Sequence, residues 1–402
     1  MDAQTLGSQP DCHYSSYSGP SRLLHWGPLI AIAIILWISI FTVYCDLMYW
    51  PVDTIGGAVN LIIFVTWVIL VFYHHYLASA LGPGFIPLKW TPKPAHQEYL
   101  QYCKVCQGYK APRSHHCRKC NRCVMKMDHH CPWINTCCGH FNHANFTYFL
   151  FFAPIGCIHA FYILARSLYY GLNLRWYLQH GTGMEPRIYF TFYTLVGSMF
   201  AIGLAFGIII SVGVLFVVQA KSVWYNKTGI EEWIDRKSTY RDREEDFIYP
   251  YDLGRWRNIR QVLFTSSGWP KSDGFSWEVK DGCGQFDLTV EQKLQKVEKQ
   301  ERATEYVGVR RYAGTFFPIT QGLCVCCCFP WSDESRIPID VGDKLVVTRW
   351  RNHWLYGDKI LTPSEDDISY RRVRGWFPRR CVEEAMSEDG AGDTGLITKK
   401  KK

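Results

Sequence analysis

The sequence predicts an α-helical polytopic membrane protein. It has four transmembrane helices, a cytosolic cysteine-rich segment of double-zinc β-hairpins between the second and third, and an all-β unit near the C-terminal end. Three observations carry this prediction. Four apolar blocks, roughly 27–45, 58–78, 146–170 and 193–219, approach the ~20 residues that cross a hydrocarbon core. Eight of the 17 cysteines fall between Cys103 and Cys138, and among them are C-x2-C units flanked by histidine. From about 309 to 384, β-branched and aromatic residues alternate with turn signals.

Residues 1–24 form a cytosolic tail rich in Ser, Gly, Pro and Gln, with no apolar core for a secretory signal. Residues 25–78 hold the first two spans and residues 146–220 the other two. The blocks are nearly free of charge and bounded by aromatics, unlike buried helices of a soluble domain. His74 and His75 fall near the end of the second block, at the level of an interface. Loop charges orient the bundle. Loop 46–57 carries Asp46 and Asp53 and no Lys or Arg, and loop 171–192 carries only Arg175 and Arg187 as basic residues. The segment 79–145 carries nine Lys/Arg, so it and both termini are expected in the cytosol. The sequons Asn145-Phe146-Thr147 and Asn226-Lys227-Thr228 would then stay unused. The net charge of +8 is spread along the chain with acidic companions, so no nucleic acid is expected as partner.

Within 79–145 one spacing occurs twice, shifted by fourteen residues. C-x2-C-x9-H-x6-C fits Cys103, Cys106, His116 and Cys123, and fits again at Cys117, Cys120, His130 and Cys137. Three thiolates and one imidazole close a tetrahedral structural zinc site, so two interleaved Zn2+ sites are predicted. A secreted disulfide framework could use such a count, but this spacing favours metal in a reducing compartment. Metal binding would supply the folding free energy of this small polar segment, ~10 kcal/mol or more per site. Both sets omit Cys131, in Asp128-His129-His130-Cys131. A thiol attacks as its thiolate, which positive charge favours, and Arg118, Lys119, Arg122 and Lys126 are close in sequence. His129 can take a proton from Cys131, and Asp128 can orient His129. At the cytosolic mouth of a membrane bundle such a thiol can meet a lipid-like thioester. It would become acylated and pass the acyl group to a thiol of a membrane-associated protein.

Cys103-x2-Cys106, Lys110-Ala-Pro112-Arg113-Ser-His-His-Cys117, Cys120-x2-Cys123 and Asp128-His-His-Cys-Pro132-Trp133-Ile-Asn135 together resemble the DHHC-type protein S-acyltransferases, or palmitoyltransferases. The resemblance implies protein S-acylation from long-chain acyl-CoA through an acyl-enzyme. It puts the nucleophile on Cys131, the base on His129 and the orienting acid on Asp128, and the zinc ligands on the eight residues of the repeat. It further implies an acyl cavity between the spans, and contacts of Lys110, Arg113 and His115 with CoA phosphates, which charge-assisted hydrogen bonds would favour. Where the family often has Asn-Asn-Cys-Val-Gly, this chain has Asn135-Thr136-Cys137-Cys138-Gly139, which adds a spare thiol, Cys138, expected to be buried. The family's Asp-Pro-Gly after the second span is Gly82-Pro83-Gly84 here. Its Thr-Thr-x-Glu after the fourth is Thr228-Gly229-Ile230-Glu231, expected to dock near the site. Pro250 to Asn258 resembles the family's aromatic motif that ends in a structural Asn.

The cytosolic stretch 221–303 runs into a charged, helix-like segment, Val290 to Thr304. Residues 304–385 are read as an SH3-like domain. Asp340-Val-Gly-Asp343-Lys-Leu-Val-Val347, Trp354-Leu-Tyr-Gly357 and Gly375-Trp-Phe-Pro378-x-x-Cys-Val382 resemble that fold, without its usual Ala-Leu-Tyr-Asp-Tyr opening. A Pro-rich ligand or adaptor on an aromatic groove is the partner this implies. Cys324, Cys326, Cys327 and Cys328, beside Phe329 and Trp331, lack the further ligands of a zinc site and are read as either S-acylation targets or plain free thiols. The tail 386–402 ends in Thr398-Lys-Lys-Lys-Lys402. This resembles a dilysine retrieval signal, which would place the protein in the endoplasmic reticulum membrane; a lipid-attracted polybasic patch is the alternative. The rival to an enzyme is an inactive zinc/SH3 membrane adaptor, against which the intact Asp128, His129 and Cys131 argue.

Overall fold

The computed structural model describes residues 20–241, 243, 245–264, 270–316, 318–332, 334–361 and 372–385. Residues 1–19 and the tail 386–402, with its terminal lysines, lie outside them. The chain divides into two compact units, Met1–Lys293 and Leu294–Lys402.

The helices of the first unit are α1 (Trp26–Tyr49), α2 (Ile55–Ala80), α3 (Pro94–Gln97), α4 (His143–Leu172), α5 (Leu174–His180), α6 (Phe192–Trp224), α7 (Gly229–Ser238) and α8 (Arg255–Val262), and α9 (Asp287–Glu301) begins there. Four of them, α1, α2, α4 and α6, are long and apolar enough to cross a membrane. Between α3 and α4 lie three antiparallel hairpins. They are β1 (Tyr102–Cys103) with β2 (Gly108–Tyr109), β3 (His115–Cys117) with β4 (Arg122–Val124), and β5 (His129–Cys131) with β6 (Thr136–Cys138).

α4 is the hub of the bundle and packs on α1, α2 and α6. Its buried Cys157, Ala160, Ile163 and Leu164 meet Ile38 of α1, Phe64 of α2, and Ala201 and Ala205 of α6. Small residues let the helices approach closely. A Cβ on Gly197 of α6 would lie 2.1 Å from the Phe41 ring, and Trp37 Nε1 of α1 donates to the Gly197 carbonyl at 3.2 Å. Two sequence readings shift. Asp46 is read as a loop residue but belongs to α1, 1 % exposed. Asn60 Nδ2 donates to its Oδ1 at 2.7 Å, and His159 Nε2 donates to Asn60 Oδ1 at 3.0 Å, while its Oδ2 is buried without a partner among the described residues. The segment 171–192 is read as loop but contains α5, which continues from α4 after Asn173.

Beyond α6 the chain turns into α7 through Thr228, whose hydroxyl accepts the Glu231 N–H at 3.3 Å while Glu231 Oε2 accepts the Thr228 N–H at 2.9 Å. This reciprocal cap fixes where α7 starts. Asn258 then pins α8 to the end of α6. Its Nδ2 donates to the Trp224 carbonyl at 2.8 Å and to Asp252 Oδ1 at 2.6 Å, and its Oδ1 accepts the Leu253 N–H at 3.0 Å.

The described residues of the second unit hold a five-stranded antiparallel sheet in the order β10-β9-β8-β7-β11, with β7 (Thr304–Gly308), β8 (Lys344–Trp350), β9 (Trp354–Ile360), β10 (Arg372–Pro378) and β11 (Val382–Glu384). Its core gathers Tyr306, Ile337, Ile339, Leu345, Val347, Trp354 and Phe377. The sheet starts at Thr304, ahead of the alternation seen from about 309, because β7 supplies Tyr306 and Gly308 to the covered face. A short helix, α10 (Leu323–Cys327), docks on this core through Val325.

Asn258→Ala strips hydrogen-bond partners from three groups at a fully buried site and should cost about 1–3 kcal/mol. A lowered melting midpoint of the purified protein in detergent is expected; an unchanged midpoint would contradict this account of the α6–α8 junction.

Candidate active site

The three hairpins share one build. Cys103 pairs with Gly108, Cys117 with Arg122 and Cys131 with Thr136 across the strands. Gln107, Asn121 and Asn135, spaced fourteen residues apart, all take left-handed backbone, with φ of 52°, 51° and 49°. A side chain at such a φ is uncommon, and Asn accepts it best among non-glycine residues.

The first two turns gather metal donors. The Sγ atoms of Cys103, Cys106 and Cys123 lie 3.5, 3.5 and 3.9 Å from His116 Nδ1. Those of Cys117, Cys120 and Cys137 lie 3.6, 3.4 and 3.7 Å from His130 Nδ1. Zinc bonded to sulfur at ~2.3 Å and to nitrogen at ~2.05 Å sets a tetrahedral S···N edge of ~3.6 Å. Both donor sets fit that edge, so two cysteine–histidine clusters can hold zinc.

Cys131 occupies in the third hairpin the place that Cys103 and Cys117 occupy in the first two. Ile134 stands where the second cysteine of a C-x2-C would be, and packs with Ala78, Phe146, Leu150 and Cys138. The thiol at the first position therefore has no C-x2-C partner. This third copy is hidden in the sequence because Ile134 breaks the pattern. The turn Pro132–Ile134 that follows is clamped from both neighbouring helices. His75 Nε2 of α2 donates to the Trp133 carbonyl at 3.0 Å. Gly27 of α1 sits so close that a Cβ would lie 2.0 Å from the Pro132 oxygen. Neither contact has a signature in the sequence.

His129 Nδ1 donates to Asp128 Oδ2 at 2.9 Å, and Cys131 lies near enough to act on the charge of the ring. The imidazole also meets the Phe146 ring edge-on at 5.4 Å. Burial alone would lower the His129 pKa, but the Asp128 carboxylate and Cys131 raise it to about 10. The other carboxylate oxygen, Asp128 Oδ1, accepts the Gly229 N–H at 2.6 Å. Gly229 is the first residue of α7, so an N–H left free by the helix geometry serves the catalytic candidate.

Arg113 and Glu231 hold that helix start in place. Arg113 Nε and Nη2 donate to Glu231 Oε1 and Oε2 at 2.6 and 2.8 Å, and neither side chain is exposed. Arg113 Nη1 and Nη2 also donate to Asn226 Oδ1 and its carbonyl, at 3.2 and 2.7 Å, and Tyr249 donates its hydroxyl to Glu231 Oε2 at 2.8 Å. The guanidinium lies over the rings of Tyr251 and Trp277, at 4.3 and 4.6 Å. Burial would push the Glu231 carboxyl up, but Arg113 holds it down at about 2. The Thr228–Glu231 turn thus lies against the site. Arg113, read as a contact of CoA phosphates, is instead enclosed in this pair with no exposed side-chain surface, which takes it out of reach of a dissolved phosphate. Lys110 and His115 are half-buried, while Arg118 and Lys119 are exposed. Lys126 is buried, which pushes its pKa down to about 7.

A cavity of about 790 Å³ opens beside Asp128, His129 and Cys131 and runs between α1, α2, α4 and α6. Ile34 and Ile38, Phe64 and Val68, and Phe149 and Ala153 are among its apolar walls. Lys221, Tyr225, Lys227 and Glu232 stand with Trp133 at the end near Cys131. The spare thiol Cys138 is fully covered and lines no part of this cavity.

Glu231→Gln leaves the buried Arg113 cation without its carboxylate and should cost about 3–5 kcal/mol. The sign of the pH effect follows from the depressed carboxyl. The pair contributes its stability above the ordinary glutamate range of about 4.3 and loses it only as pH falls towards about 2. Thermal unfolding at neutral pH should therefore show a lower midpoint in the variant, and equal midpoints would contradict the pair's role.

A DHHC palmitoyltransferase family model matches residues 96–236. The chain is 46 % identical over 382 residues to palmitoyltransferase ZDHHC6 of Bos taurus, covering 90 % of this chain and 91 % of that protein. To palmitoyltransferase ZDHHC6 of Homo sapiens it is 46 % identical over 379 residues, again 90 % of this chain and 91 % of the relative. To palmitoyltransferase PFA4 of Mycosarcoma maydis it is 37 % identical over 227 residues, 49 % of this chain and 45 % of that protein. With the cysteine-rich hairpins matched and nine-tenths of the chain aligned, the chain belongs to the DHHC palmitoyltransferase family and is a protein S-acyltransferase.

Proposed function

We propose that the chain moves a long-chain acyl group from acyl-CoA to cysteine thiols of membrane-associated proteins by way of acyl-Cys131. The observation that carries this is the arrangement of Cys131, His129 and Asp128 at the mouth of an apolar cavity. With the proton already held on His129, whose raised pKa favours the imidazolium, the Cys131 sulfur attacks the thioester carbonyl as its thiolate. The C–S bond to CoA breaks, and the leaving sulfur takes the proton from His129. In the second half, His129 takes the proton of the incoming protein thiol. That sulfur attacks acyl-Cys131, and Cys131 leaves and is reprotonated. Asp128 holds the imidazole in the tautomer that each proton transfer needs. Zinc in the two clusters would fix the hairpins that carry these residues.

The cavity suits the chain. Its walls run along α6 from Ser222 to Ile208, ~21 Å at ~1.5 Å per residue. A zigzag of ~1.5 Å bonds advances about 1.25 Å per carbon, so a palmitoyl-length chain fits. Ser39 and Cys157 lie deepest among the lining residues of α1 and α4. For the CoA phosphates we keep Lys110 and His115, and Lys221 and Lys227 offer further cations at the mouth.

The segment boundaries given above, and cytosolic placement of both termini, belong to the same reading. The loop charges support it, and the terminal lysines point to the endoplasmic reticulum membrane. The five-stranded antiparallel sheet supports an SH3-like identity for the second unit, with a Pro-rich ligand as its partner. On α10, Val325 faces the core and Trp354 Nε1 donates to its carbonyl at 3.0 Å. This turns Cys324, Cys327 and Cys328 outward, with Cys326 half-buried, beside exposed Leu323 and Trp331. That presentation supports S-acylation of these cysteines.

Purified protein given labelled palmitoyl-CoA should acquire a hydroxylamine-sensitive label at Cys131. Cys131→Ser should lose it, and equal labelling of that segment would end the proposal. Cys157→Phe should slow acylation by stearoyl-CoA more than by lauroyl-CoA, because the bulk shortens the cavity; an equal effect on both would show that the chain lies elsewhere.

A further inference from the structure

Cys138 is the thiol among the cysteine-rich hairpins that neither the zinc clusters nor the acyl transfer uses. It lies directly across the β5–β6 hairpin from His129, and the Asp128 N–H donates to its carbonyl at 3.0 Å. A carboxylate oxygen of Asp128, a ring nitrogen of His129 and Cys138 Sγ all lie within 4.8 Å of one another. We propose that Asp128, His129 and Cys138 form a third, reversible site for a thiophilic divalent cation such as Zn2+, and that filling it shuts the enzyme off.

Oxygen, nitrogen and sulfur donors together suit Zn2+. Carboxylate and thiolate neutralise its charge, and the Cys138 proton and the extra proton of the His129 imidazolium leave to solvent as the metal binds. Three protein ligands leave a fourth position open, unlike the closed sets of four in the two structural clusters. The two structural clusters offer four donors each, whereas here there are three, and two of them are already engaged with each other, His129 Nδ1 donating to Asp128 Oδ2 at 2.9 Å. Binding a metal must replace that hydrogen bond and leaves one position to water, which makes this the weaker and exchangeable site. The His129 side chain is 43 % exposed and offers the entry path to the covered Cys138. A metal on the His129 ring nitrogen and the Asp128 carboxylate occupies the groups that the proposed proton transfers need, so the inhibition rests on that reading.

Full-length enzyme in detergent, as wild type, Cys138→Val and Cys138→Ala, would be equilibrated at stepped, buffered free zinc. Bound zinc and the rate of acylation by palmitoyl-CoA would both be measured. The wild type should take up one more zinc than either variant. The zinc concentration that halves its rate should be lower by at least about tenfold, while all three acylate at similar rates without added zinc. Equal uptake and equal inhibition in wild type and variants would overturn the proposal. The bound-zinc difference needs no activity, so its failure is separable from a failure of the acyl-Cys131 reading, which Cys131→Ser labelling tests.

Discussion

The buried Arg113–Glu231 pair is the contact on which the site depends. It joins the hairpin segment to the turn that follows α6, two pieces of chain more than a hundred residues apart. A pair with no exposed side-chain surface is held only if its remaining donors and acceptors are met, and here Asn226, Tyr249 and the Thr228 N–H meet them. The consequence is positional. Glu231 caps α7, Gly229 becomes the first residue of that helix, and its N–H falls on Asp128. The acid that orients His129 is thus set from outside the hairpins that carry it.

The hairpins supply the other half. A fourteen-residue unit built to present thiols to a metal occurs three times, and in the third Ile134 replaces a ligand. The thiol position survives with its backbone geometry but without a C-x2-C partner. The reactivity proposed for Cys131 is then a matter of what a knuckle does when its second thiol is removed. His75 and Gly27 replace the missing metal as constraints on the turn.

Much of this was legible in the sequence. The four apolar blocks, the two ligand sets and the neighbourhood of Cys131 are local patterns, and local patterns are what spacing reports. The docking of Thr228–Glu231 was read from likeness and is seen here as a capped helix start. What the sequence could not give depends on contacts between distant segments. Arg113 is read as a phosphate contact from the family resemblance, yet its partner is Glu231, which no spacing rule connects to it. Asp46 reads as a loop charge because its partner Asn60 lies on another helix. The third knuckle was missed because a repeat is recognised by its cysteines and not by the left-handed residue that closes its turn.

The central claim is that the Gly229 amide aligns Asp128, and through it His129, for attack by Cys131. Gly229→Pro removes that one N–H while suiting the first position of a helix. Gly229→Ala keeps the N–H, and its Cβ would meet Asp128 Oδ1 at an ordinary 3.5 Å. The single-turnover rate of Cys131 acylation by palmitoyl-CoA separates them. The account predicts a near-normal rate for Ala and a rate slowed at least about tenfold for Pro, with melting midpoints alike. Equal rates for the two variants would contradict it.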